Sequence, residues 1–378
     1  MNVTYLAIIG ASVWVVILLL PWRPWANGEV LDAVSNLSEA DLSDITVLIP
    51  ARNEAGVIET TLKGIEAQGD DFNIILVDDQ STDGTAPVAE SIAIKRLKII
   101  GGEPPPEGWS GKLWALEQGL RHVDTKLLLL LDADIELKPG ILQALRMKMQ
   151  KDDLQLISLM AALRMVSFWE RLLMPAFIYF FKLLYPFRLS NARFPWVAAA
   201  AGVCILLETK ALREIGGFKT LRNQLIDDCA LAKRIKSSGY KTWIGLSHSA
   251  CSLRPYEHLR TIWGMVARTA FHQLHYSVLL LFLCSLVMML LFLLPIAGLF
   301  IPSSAISKIF SGCALSAMFL SYLPTLKFYG LSIAWALWLP AIGMLYLTMT
   351  WTSAIRFWQG KGSEWKGRSY GSRLGSGK

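Results

Sequence analysis

Apolar positions along this chain follow two patterns. In the first they come as short runs between polar or turn-forming stretches: 45–49 (Ile-Thr-Val-Leu-Ile), 72–77, 97–100 and the five leucines of 127–131. Runs of that length read as buried strands, and stretches of helical period over 56–68, up to residue 91, and over 113–119 lie between them. Three strand-helix units leading to a central strand describe a Rossmann-like α/β half, whose ligands collect outside the carboxyl ends of the strands. Further along, Pro139 opens a helix to Lys151, 154–159 reads as a strand, and small residues lead into another strand over 198–207. A helix over 229–236, an edge strand at 239–244 and a helix over 257–271 complete a mixed, mostly parallel sheet domain.

The second pattern is long apolar runs. Residues 5–20 carry no charge and precede Pro21-Trp-Arg-Pro-Trp25, an interfacial aromatic belt. With no basic region before it and no small-residue cleavage site, this run reads as an uncleaved N-terminal membrane anchor. Residues 277–301 and 331–355 read as C-terminal transmembrane helices; 309–323 is short and holds Ser, Gly and Cys, which suits a thin span or a re-entrant piece. The aromatic stretch 168–187 fits a helix in the membrane interface with Lys182 snorkelling, or equally a core helix of the α/β domain. The expected organisation is an anchor over 1–22, a linker over 23–44 that is polar and acidic from residue 28, an α/β domain over 45–275, a membrane region over 276–356 and a basic tail over 357–378.

Composition agrees. The 378 residues are 53% apolar and 18% charged, too greasy for an ordinary soluble enzyme. The net charge of +7 is no nucleic-acid signal, because much of it lies in the tail, where Arg356, Lys361, Lys366, Arg368, Arg373 and Lys378 face one acid, Glu364. Such a cluster after a span favours the cytoplasmic side and anionic lipid headgroups. If domain and tail share that side, an even number of crossings separates them, which demotes 309–323. Five cysteines without paired spacing fit reduced thiols.

The strand ends carry the candidate chemistry. Asp132 and Asp134 follow the leucine strand, and on an extended backbone they point to one side with Ala133 turned away. Two hard oxygen ligands with positions left over suit Mg²⁺ or Mn²⁺ on a substrate diphosphate; the alternative is a solvated turn. Asp78 or Asp79 is placed to accept hydrogen bonds from uracil or ribose, unless the pair closes a local turn onto Ser81 and Thr82. Ser81 or Asp83 is placed to cap the helix that follows. Arg52 and Lys112 suit phosphate charge, Lys112 being otherwise a solvated loop lysine. Asp227 and Asp228 sit at a helix start, where capping is the simplest role. Arg260, Arg268 and His272 fall on one helical face. No G-x-G-x-x-G follows the first strand, which argues against a dinucleotide; zinc spacing, a nucleophile elbow and a Walker lysine are also missing.

In order and spacing, Pro50-Ala-Arg-Asn-Glu54, Val77-Asp-Asp-Gln-Ser-Thr-Asp-Gly84, Trp109-Ser-Gly-Lys112, Asp132-Ala-Asp134 and Ile226-Asp-Asp-Cys-Ala-Leu231 resemble the inverting, membrane-bound family-2 glycosyltransferases of the GT-A fold, closest to the bacterial hopene-associated members. The resemblance runs from about Ile45 to Trp365. It implies that Pro50, Glu54 and Asp79 line a uridine pocket with Lys112 near ribose or diphosphate, that Asp132 and Asp134 hold Mn²⁺ or Mg²⁺ on the UDP-sugar, and that Asp228 is the base. Asp227 stands where the family usually shows Glu. Met265-Val-Ala-Arg-Thr269 keeps only the arginine of a Gln-x-x-Arg-Trp motif, which leaves Arg268 a diphosphate role and speaks against a long polymer. Glu364-Trp-Lys-Gly-Arg368 resembles the tail of lipid-directed members. The implied activity is sugar transfer to a hopanoid or polyprenoid lipid at the cytoplasmic face of the bacterial inner membrane, beside other lipid-biosynthesis enzymes. The alternatives are a short-polymer or other glycolipid synthase, and a membrane scaffold with a degenerate domain.

Overall fold

A computed structural model describes residues 3–34, 41–222, 224, 227–300, 304–361, 363–365 and 368–370. In chain order the elements are α1 (Val3–Leu19), β1 (Ile45–Ala51), α2 (Ile58–Glu66), β2 (Asn73–Asp78), α3 (Thr85–Ser91), β3 (Leu97–Gly101), α4 (Gly111–Leu120), β4 (Leu127–Leu131), β5 (Ile135–Leu137) and α5 (Ile141–Asp152). There follow β6 (Leu156–Ala162), α6 (Phe168–Leu184), α7 (Phe187–Asn191), β7 (Cys204–Glu208), α8 (Thr209–Glu214), α9 (Asp227–Ser237), β8 (Thr242–Ser252) and α10 (Leu259–Gln273). The last long helices are α11 (Val278–Met288), α12 (Leu294–Phe300), α13 (Ala305–Phe328) and α14 (Leu339–Trp358). The described tail holds two short paired strands, β9 (Ser363–Trp365) and β10 (Arg368–Tyr370).

Two compact units divide these elements. The sheet unit (Glu29–Arg164, Leu189–Pro255, Trp365–Lys378) carries one eight-stranded sheet in the order β3-β2-β1-β4-β7-β6-β8-β5. β1 to β4 are parallel, β7 is antiparallel to both neighbours, β8 is parallel to β6, and β5 closes the sheet antiparallel to β8. The five-leucine run is apolar throughout because both faces of β4 are covered: Leu127, Leu129 and Leu131 pack into one core with Ile58, Leu62 and Leu145, while Leu128 and Leu130 pack into the other with Leu113 and Leu116.

Two expectations change here. β8 is an eleven-residue interior strand, not an edge strand ending at 244, because β5 pairs beyond it. The segment after residue 28 is not a loose tether as far as it is described. Val30 bridges Leu246, Leu31 N donates to Leu246 O (3.0 Å), and the Asp32 carboxylate accepts from Ser247 Oγ (3.1 Å) and His248 N (2.5 Å). Residues 35–40 of that linker lie outside the described set.

The helical unit is Met1–Gly28, Met165–Arg188 and Tyr256–Glu364. Among the described residues, three of its helices are long and apolar enough to cross a membrane: Val278–Phe300, which joins α11 and α12 through one π turn, then α13, and Ile333–Trp358, which opens with a 3-10 turn before α14. α13 has 24 residues, so the short reading of 309–323 was too narrow. Its Ser307, Ser311, Ser321 and Thr325 are buried, and those inward polar groups lowered the apolar signal without shortening the helix. α1 has 17 residues, about 25 Å, short of the roughly 30 Å of a bilayer core. It packs inside the unit through Trp14, fully buried, whose Nε1 donates to Leu291 O (3.0 Å) and whose ring meets Phe292 edge-on. α6 also belongs to this unit. Lys182 does not snorkel: it is 1% exposed, and its ammonium donates to Ala26 O (3.2 Å), Thr325 Oγ1 (3.3 Å) and Asn27 Oδ1.

Candidate active site

The loops after β1 and β2 are stitched together. Asn53 (φ 52°) and Gln80 (φ 57°) take left-handed backbone conformations, Asn53 N donates to Ser81 Oγ (3.0 Å), and Thr82 N donates to Asn53 Oδ1 (2.9 Å). The Arg52 guanidinium donates to the carbonyls of Asp79 (2.5 Å) and Gln80 (3.2 Å), so it braces this junction. Asp78 accepts from Ser81 N (3.2 Å), the local turn, whereas Asp79 is 1% exposed behind it. Asp83, rather than Ser81, serves the start of α3. It accepts from Ala55 N (2.9 Å) and from Thr85 N (3.1 Å) and Oγ1 (2.6 Å); although desolvation pushes its carboxyl up, these bonds hold it below the usual range.

Across the sheet, Ser110 caps α4 by accepting from Leu113 N (3.3 Å), which sets Lys112 at the first turn. Lys112 Nζ lies 2.6 Å from Asp132 Oδ1 and donates to Gly202 O (3.3 Å). Gly202 N donates to Asp228 Oδ2 (2.8 Å), and Cys229 N donates to Asp228 Oδ1 (2.7 Å). Both groups close on this backbone: a Cβ at Gly202 would sit 3.3 Å from the Asp228 carboxylate and 3.4 Å from the Lys112 ammonium. Pro50, Lys112, Asp132, Gly202 and Asp228 thus line one pocket at the carboxyl end of β4. Lys112 is no solvated loop lysine, its side chain being 22% exposed.

Asp132 to Asp134 are not extended. The backbone turns between β4 and β5, with Ile135 N donating to Asp132 O (3.2 Å), so strand alternation does not aim the two carboxylates. Asp134 and Glu54 are instead gathered by Arg254, with Nε 2.6 Å from Asp134 Oδ2 and Nη2 3.1 Å from Glu54 Oε1. Sequence reading missed Arg254, which lies 120 residues beyond Asp134 in a loop without a motif of its own. Among the described residues no group of three or more His, Cys, Asp or Glu is placed to hold a metal. The donor set still fits Mg²⁺ or Mn²⁺, which keep only one or two carboxylates and complete their shell with water and substrate phosphates. Each carboxylate of the pair already faces a cation, Lys112 on Asp132 and Arg254 on Asp134. Burial pushes the Cys204 thiol up to about 12, with the Asp132 charge adding to it, so Cys204 is no nucleophile. Asp227 opens α9, but its side chain lies outside the described set. Arg268 is exposed on α10, in the helical unit.

A parallel α/β half, an antiparallel return strand and acids at the strand ends define a GT-A-like domain. Residues 46–216 match the profile of glycosyl transferase family 2. The 4,4'-diaponeurosporenoate glycosyltransferase of Staphylococcus haemolyticus is 33% identical over 93 residues, covering 25% of this chain and 24% of its own. The probable glycosyltransferase YdaM of Bacillus subtilis is 26% identical over 207 residues, 53% of this chain and 48% of its own. The chain therefore matches between a quarter and a half of these curated relatives' length. Among solved structures, the mannosyltransferase PcManGT of Pyrobaculum calidifontis, in complex with GDP-Man and Mn²⁺, shares the fold with TM-score 0.58 at 18% identity, covering 94% of this chain and 98% of its own.

Proposed function

We propose that the protein is an inverting glycosyltransferase that moves a sugar from a nucleoside diphosphate sugar to a membrane-held, isoprenoid-type lipid. The observation that carries this reading is the convergence of Lys112, Asp132 and Asp228 on one pocket at the strand ends. In the transfer, an acceptor hydroxyl oxygen attacks the anomeric carbon and gives its proton to the Asp228 carboxylate. The bond from that carbon to the diphosphate oxygen breaks, and the diphosphate leaves with the electron pair. A carboxylate has about four acceptor positions, so the two backbone N–H groups on Asp228 leave room for the acceptor proton. Lys112 compensates charge developing on the leaving group. A divalent cation on Asp132 and Asp134, when bound, neutralises the diphosphate. Glu54, Asp79 and Pro50 flank the nucleoside, with Arg52 bracing the loop beneath it. One displacement needs no enzyme nucleophile and inverts the anomeric centre.

We take UDP as the donor nucleotide and a hopanoid or polyprenoid as the acceptor, on the strength of the sequence motifs; the curated carotenoid-type relatives support a lipid of that chemical class. The family resemblance supports the cytoplasmic face of the bacterial inner membrane and neighbouring lipid-biosynthesis enzymes, and the basic tail supports anionic headgroups as its partners. The test uses purified full-length protein. UDP should bind in a Mn²⁺-dependent manner, and Asp134→Ala should abolish sugar transfer while leaving the protein folded in the membrane. Tighter binding of GDP than UDP would move the donor assignment, and no binding of either nucleotide with Mn²⁺ would leave the scaffold reading.

A further inference from the structure

Arg254 lies two residues beyond β8, where Leu253 N donates to Asp134 O (2.8 Å). The loop is therefore fixed by the backbone of the same residue whose side chain the guanidinium grips. Arg254 spans two acids from two different loops, Asp134 and Glu54, whose side chains are only 10% and 11% exposed. Carboxylates that dry need a cation, and a guanidinium presents two edges at once. A divalent cation bound to Asp134 would lie about 2.1 Å from its carboxylate oxygen. Arg254 Nε already sits 2.6 Å from Asp134 Oδ2, too close for both cations to share that oxygen without strong repulsion.

The charges point the same way. Glu54, Asp132, Asp134 and Asp228 bring four negative charges against two positive ones on Lys112 and Arg254. A divalent cation alone takes this set from minus two to zero, and a diphosphate alone takes it to minus four. With both, the set keeps its resting charge of minus two.

We infer that Arg254 is a positioning residue that holds Asp134 and Glu54 in the donor-free protein and yields Asp134 only when a divalent cation arrives with a nucleoside diphosphate. Arg254 thereby makes cation binding conditional on nucleotide, and this rests on the pocket being the nucleotide-sugar site proposed above. A cation that must displace an internal partner binds more weakly by the fraction of molecules in which that partner is away. By linkage, whatever nucleotide does for the cation, the cation does for nucleotide.

The test is Mn²⁺ titration of the full-length protein in nanodiscs, followed by the electron paramagnetic resonance of free Mn²⁺, with and without saturating UDP. Wild type should bind Mn²⁺ at least about tenfold more tightly with UDP. Arg254→Met should raise the nucleotide-free Mn²⁺ affinity at least about fivefold and shrink the UDP effect in proportion. Arg254→Lys, which keeps one charge but cannot bridge both acids, should fall between them and decides the matter if the Met variant does not fold. Unchanged or weaker nucleotide-free affinity in the folded variants overturns the inference while Asp134→Asn still loses Mn²⁺. If instead wild type binds no Mn²⁺ with UDP or GDP, or Asp134→Asn binds it normally, the pocket reading itself fails and the inference falls with it.

Discussion

At Asp228 both carboxylate oxygens accept backbone hydrogen bonds, from Gly202 at 2.8 Å and Cys229 at 2.7 Å. An amide in its place has one oxygen to accept and an NH₂ that cannot, so Asp228→Asn gives up one of the two bonds as well as the proton acceptor. The lost bond costs about 1 kcal/mol of stability, a small change in melting temperature. The lost base costs about 10² to 10⁴ in rate. We therefore expect D228N to fold, to bind nucleotide with Mn²⁺ as wild type does, and to transfer sugar at least about 10²-fold more slowly at saturating acceptor. Near-full turnover by D228N, with D227N inactive, would move the base one residue earlier. The residues alone leave Asp78 and Asp79 open, since adjacent acids after a strand look alike; the family resemblance picks Asp79 for the pocket, and the Ser81 contact shows that Asp78 closes the turn. Arg254 was illegible for a different reason, because its partners are set by the pairing of β8 with β5 and not by neighbours in sequence.

The strand and helix elements were legible where both faces of the sheet are covered, since continuous apolar runs then have one explanation. β5 was not, because three residues, Ile135–Leu137, carry too little pattern to register as a strand. The edge strand expected at 239–244 stopped short of the serines and His248 that follow, whereas β8 runs on through them, with Ser247 and Ser249 buried and bonded to Asp32. A close contact between elements lies at Gly119 of α4. A Cβ there would lie 2.2 Å from Leu48 Cδ1 and 3.0 Å from Val77 Cγ2, and both side chains are fully buried with little room to shift. Alanine in a helix is worth about 1 kcal/mol over glycine, while overpacking a filled core costs about 1 to 3 kcal/mol. Sterics win, so Gly119→Ala should lower the denaturation midpoint. A midpoint at or above wild type would mean that α4 can lift off β1 at no cost.

For the whole chain, the open question from sequence was parity: a basic tail and an α/β domain on one side demand an even number of crossings, yet three helices are long enough to cross. Hydropathy gives lengths but not directions, and directions come from contacts between distant residues. Trp351 Nε1 donates to Ser285 Oγ (2.9 Å), Ser353 Oγ accepts from Phe271 N (3.0 Å), Phe357 stacks on Tyr276 at 4.4 Å, and Gly343 lies against Phe292. Later residues of α14 meet earlier residues of α10 to α12, so α14 is antiparallel to α11 and α12 and ends where α11 begins. α13 also runs antiparallel to α12, with Ser311 against Gly298. Residues 329–338, including the 3-10 turn Ile333–Trp338, therefore bring the chain back into the unit before α14 leaves it again. Parity stays even with α13 at full length, which reconciles the basic tail with three long helices. α1 runs beside α13 in the same direction, Thr4 Oγ1 lying 3.0 Å from Ser304 Oγ and Asn27 Nδ2 donating to Pro324 O at 2.7 Å. It follows that a reporter joined after Lys378 should read cytoplasmic, whereas a reporter within 301–304 should read on the opposite side. A tail reporter on the side of the 301–304 reporter would mean that α14 completes an odd crossing, and the pairing of Trp351 with Ser285 and of Phe357 with Tyr276 would then have to be abandoned.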